Sequence, residues 1–188
     1  MVDPYQIKSA KVRQVYEYWL SKKTSDLLPG RSDIEPREMK SLSECTFLVD
    51  VLQVPLHFKV RFFGTRLAFW AGCDLTGLVI RQPEVSAPLR PWRQIFQEYC
   101  SVVEAREPRY DEHSMEWGKE HQRFERIIAP LSGDGTTVNM LFGALDLHAT
   151  PAIAAASRTQ VTSMGCEEST QLRSGEKLTK WNTGKIRL

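Results

Sequence analysis

Any chemistry in this chain would start from a few acids, imidazoles and thiols. Asp111, Glu112 and His113 stand side by side. Carboxylates beside an imidazole are the residue types that general acid–base work uses. They also lie in a run that reads as a strand, where charged side chains mostly face water. Cys45, Cys73, Cys100 and Cys166 are scattered. With His57, His113, His121 and His148 they give no Cys-x-x-Cys and no zinc spacing. No Gly-x-Ser-x-Gly elbow presents a nucleophile. Gly133-Asp134-Gly135 lacks the lysine and the following helix of a phosphate loop, and reads as a hairpin turn. The aromatic residues say more. Phe47, Phe62, Trp70, Trp92, Phe96 and Tyr99, with His113 as a polar neighbour, could line an apolar cavity for a small molecule. The same rings could instead fill a core.

The elements that must position these residues follow from periodicity. Val12, Val15, Tyr16, Trp19 and Leu20 recur at i, i+3, i+4, i+7 and i+8, an amphipathic helix that Ser9 can cap. Its apolar stripe packs either on its own domain or on a second copy of the chain. A turn-rich break at 28–33 leads into a brief helical stretch over 35–42. Residues 45–52 and 56–63 read as a β-hairpin, with Phe58, Val60 and Phe62 on one face. Thr65 can cap a short helix to Ala71, and a Gly-bounded turn then opens another short segment. A long helix spans 90–105, and three strands follow at 109–117, 123–131 and 138–147. In 123–131 the inward face stays open. One register buries Phe124 and Ile128 together with Arg126; the other buries Ile127, Ala129 and Leu131 together with Arg123 and Glu125. Short connections favour antiparallel neighbours. The expected architecture is therefore α+β, one antiparallel sheet of five strands with helices on one face and an N-terminal helix.

Composition agrees. The 188 residues are 41% hydrophobic, 26% charged and 10% aromatic, which excludes collagen, rods and wholly disordered chains. A net charge of +2 argues against nucleic acid as the partner. No window approaches a membrane span, and residues 1–11 lack the apolar core of a signal peptide, so a reducing cytoplasm is expected. From Ala149 onward Ala, Ser, Thr and Gly dominate, and no period survives. The expected division is an N-terminal helix and linker (1–30), a folded domain (31–148) and a mostly disordered tail (149–188).

A resemblance rests on short strings in a fixed order: Arg31-Ser32-Asp33-Ile34-Glu35-Pro36, Phe47-Leu48-Val49-Asp50-Val51, and Phe58-Lys59-Val60-Arg61-Phe62-Phe63-Gly64-Thr65-Arg66. Further on come Asp74-Leu75-Thr76-Gly77, Phe124-Glu125-Arg126, Ala129-Pro130-Leu131-Ser132 and Phe142-Gly143-Ala144. Together they resemble bacterial single-domain PAS proteins over residues 12–147. A departure is Glu44-Cys45, where that group often has a proline before the strand. The resemblance implies a sheet of order 2-1-5-4-3 and a pocket between sheet and helices. It also implies an N-terminal helix that mediates homodimers through Val12, Val15, Tyr16, Trp19 and Leu20. The implied role is sensory and non-catalytic, signalling through proteins such as histidine kinases. Covalent flavin chemistry in the family needs an Asn-Cys-Arg-Phe-Leu type motif, and Cys73 stands in Gly-Cys-Asp-Leu, which argues against it. Haem needs an axial ligand, and the long helix holds no histidine, which leaves His113 as the candidate and haem disfavoured. Two other readings stay open: a small α+β enzyme using Asp111, Glu112 and His113, and an interaction scaffold without a ligand.

Overall fold

A computed structural model describes residues 2–82, 90–117 and 120–148. The expected tail, 149–188, with Cys166, lies outside the described residues. The chain divides into two compact units, one of residues 1–112 and 125–146, the other of 113–124 and 147–188.

The elements run α1 (Ala10–Lys22), β1 (Thr46–Gln53), β2 (Leu56–Phe63), α2 (Thr65–Ala71), β3 (Val79–Arg81), α3 (Arg90–Ala105), β4 (Arg109–Trp117), β5 (Glu120–Ser132) and β6 (Val138–His148). Ser9 caps α1 as its type predicts: its side chain accepts from the Val12 amide. Gly64, rather than Thr65, takes the cap position of α2. The helix expected over 35–42 is absent, and turns run from 36 to 42 instead.

Six strands form one sheet in the order β3-β2-β1-β6-β5-β4. β1 pairs antiparallel with β2 and with β6, and β2 pairs antiparallel with β3. Setting β3 aside leaves the expected order of five. The added strand has three residues at the sheet edge, too few to show an alternation.

One expected face is wrong within the hairpin. Leu48 pairs with Phe62, but Val49 pairs with Val60, so β2 carries one extra residue there. Such a bulge breaks the two-residue alternation. Phe58 and Val60 stay buried, while Phe62 is turned out and is 39% exposed.

Both faces of the sheet are covered. Phe58 on β2 meets Phe96 and Tyr99 of α3 edge-on, with ring centroids 5.3 and 5.2 Å apart. On the other face lies α1, whose Trp19 Nε1 donates to the Pro130 carbonyl of β5 at 2.9 Å. At the start of α1, the Ser9 hydroxyl donates to Asp146 on β6 at 2.8 Å. This explains the open question in β5. Glu125 to Ser132 is buried without interruption, because each register of the strand faces its own helix.

Candidate functional site

The helix-facing side of the sheet in the first unit holds an aromatic wall. Its centre is Phe58, fully buried, with Phe96 and Tyr99 set at 71° against it. This edge-to-face arrangement suits the ring quadrupoles. Phe47 is buried on the same side, because β1 residues alternate and Val51 pairs with Phe58. Its ring lies over Gly143 of the paired β6, where a Cβ would collide with Phe47 and with the Ile127 carbonyl. Trp70 and Trp92 are half-buried against the core. Phe58 is absent from the aromatic set that the sequence suggested, and Phe62 stands in its place. Phe58 stands two residues before Val60 on one face of β2, and that alternation was the signal for it.

Tyr99 gives the wall a polar point. It is 7% exposed. Burial pushes its phenol up to about 12. The nearby Arg126 works the other way.

Beside the wall stands a buried charge network. Arg126 of β5 donates to Glu98 of α3 at 2.5 Å and to Asp111 of β4 at 3.1 Å. Gln94 donates to the second oxygen of Glu98 at 2.9 Å, and Arg109 donates to Asp111 at 2.9 Å. Burial alone would raise the Asp111 carboxyl, but the hydrogen bonds from Arg109 and the charge of Arg126 outweigh it and hold it below the usual range. An open groove of about 460 Å³ runs past this network at the end of α3, along Ser101, Ala105, Pro108, Tyr110 and Asp111.

The carboxylate pair proposed for acid–base work is split. Asp111 belongs to the network above, while Glu112, the next strand residue, points to the opposite face and binds the Lys8 ammonium at 2.8 Å. Both carboxylates are held in ion pairs on opposite sides of the sheet, so they form no dyad. In the second unit, His113 stacks on Phe124 with centroids 5.1 Å apart.

The stripe of α1 that would have met a second copy is taken up within the chain. Val12, Val15, Tyr16 and Trp19 are 0–1% exposed, and Leu20 is half-buried against the same core. Tyr16 also donates to the Val2 carbonyl at 2.8 Å. The first of the two sequence readings, packing on its own domain, is the one observed within the single chain. Cys45 is fully buried, and burial pushes its thiol up to about 11; Cys73 is exposed.

The comparisons agree with this architecture. The family model described as a PAS domain matches residues 7–146, and the chain belongs to that family. Fifteen chains of solved structures match. One is the PAS domain of BvgS from Bordetella pertussis, 13% identical with a TM-score of 0.45, covering 65% of this chain and 93% of that one. Another comes from a study of a flavin analogue in a light-oxygen-voltage domain, 14% identical with a TM-score of 0.40, covering 65% and 90%. Comparison with curated proteins finds no match. No helix among the described residues is long and apolar enough to cross a membrane.

Proposed function

We propose that this PAS domain is a non-catalytic sensory and regulatory module that takes a small, mostly apolar ligand against the helix-facing side of its sheet. The observation that carries this is the buried aromatic wall, where Phe96 and Tyr99 of α3 meet Phe58 of β2 edge-on. A ligand with one polar group could add a hydrogen bond to the Tyr99 hydroxyl on that wall. The division of Asp111 and Glu112 between opposite ion pairs favours binding over acid–base chemistry. Residues 31–148 would form the sensing core and 1–30 its N-terminal cover. Signalling would then run through contacts with other proteins in the cytoplasm, of which histidine kinases are one class.

Native mass spectrometry of the full chain, purified from its own source, tests this. The expected result is a bound small-molecule mass that is lost on denaturation. A bare chain in every charge state would favour a scaffold with a filled core.

A further inference from the structure

Glu125 and Arg126 are neighbours on β5, and both are buried, at 1% and 7% exposure. As consecutive strand residues they face opposite sides of the sheet. On one side, Glu125 Oε2 accepts from the Lys8 and Ser9 amides at 2.9 and 2.8 Å, at the very start of α1. On the other, Arg126 grips Glu98 in the middle of α3. β4 repeats the arrangement one strand away. Tyr110 donates to Glu125 at 3.0 Å, and its neighbour Asp111 binds Arg126.

We propose that this pair makes β5 a two-sided clamp that couples the seating of α1 to the seating of α3. The reason is both electrostatic and geometric. A buried guanidinium that loses a carboxylate is driven to find water or another partner. Arg126 cannot swing outward unless the strand rolls with it. A roll of the strand carries Glu125 the opposite way, off the amides of Lys8 and Ser9. Tyr110 and Asp111 tie β4 to the same two side chains, so both strands roll together. Coupling of this kind is reciprocal, and weakening the Glu125 contacts loosens α3 in turn. The clamp goes beyond the sensory reading, since it acts whether or not a ligand is bound.

Residue-resolved hydrogen exchange on the full chain tests it. Glu98→Gln should speed exchange of the Lys8 and Ser9 amides by about fivefold or more, although neither residue touches Glu98. Glu125→Gln should speed exchange over residues 94–102 to a similar degree. Val102→Ala opens a cavity under α3 without touching a charge, and should leave Lys8 and Ser9 close to wild type. Should Glu98→Gln not fold, Asp111→Asn removes the other carboxylate at Arg126 and carries the same expectation. Two results overturn the clamp: unchanged exchange at Lys8 and Ser9 while α3 loosens, or equal acceleration there by Val102→Ala, which would mark a general loss of stability.

Discussion

Trp19 ties the N-terminal helix to the sheet through a single indole proton. The side chain is 1% exposed, and its Nε1 donates to the Pro130 carbonyl in a buried stretch of β5. Trp19→Phe keeps most of the apolar contact and removes the donor. It should cost about 1–3 kcal/mol of stability, read from urea unfolding, because it leaves a buried carbonyl without that partner. A change within error would mean that water replaces the indole. At this scale the sequence was legible in type and less so in place. The stripe of Trp19 and its neighbours was readable as sticky, but nothing in a 3.6-residue period tells whether it meets its own sheet or another chain. Phe62 was misplaced for a different reason. One extra residue in β2 reverses the alternation, and a bulge leaves no mark in the residue types around it.

Strands β1 and β6 meet at Gly143, where the missing side chain makes room for the Phe47 ring. Gly143→Ala places a methyl group against that ring and against the Ile127 carbonyl. Overpacking of this kind costs about 1–3 kcal/mol, and the melting temperature should fall accordingly. An unchanged melt would show that the ring has space to move. The hairpin of β1 and β2 was readable from two runs rich in β-forming residues on either side of Pro55, and the long helix α3 from its helical period. The inward face of β5 was not, and the cause is physical. Its two registers each bury a charge, Glu125 in one and Arg126 in the other. A pattern that places a charge on both faces marks a strand covered on both faces, with a paired partner waiting on each. β3 was missed because three residues carry no pattern at all.

At the scale of the whole domain, the buried charges make stability depend on acid. Asp111 has a folded-state carboxyl lowered against the burial that opposes it, by Arg109 and Arg126. A lowered folded value means that its contribution is complete above the unfolded carboxylate value of about 3.9 and fades as pH falls through the lower, folded one. Thermal melts between pH 7 and pH 2 should therefore show wild type losing stability below about pH 4 more steeply than Asp111→Asn, the two converging at the acid end. Parallel curves would show that Asp111 contributes no ionic stabilisation. Antiparallel pairing was legible at this scale because connections within each run of strands are short, and the strand order came from the resemblance to PAS proteins. The ligand was not legible, since an aromatic wall reads alike whether it is filled by side chains or by a guest. Native mass spectrometry of wild type beside Phe58→Trp and Tyr99→Phe, each purified as the full chain from the natural source, reads whether the aromatic wall holds a guest. Wild type should carry a bound mass that disappears when Phe58→Trp fills the wall and diminishes when Tyr99→Phe removes its hydroxyl. The same bound mass at the same occupancy in all three would contradict it.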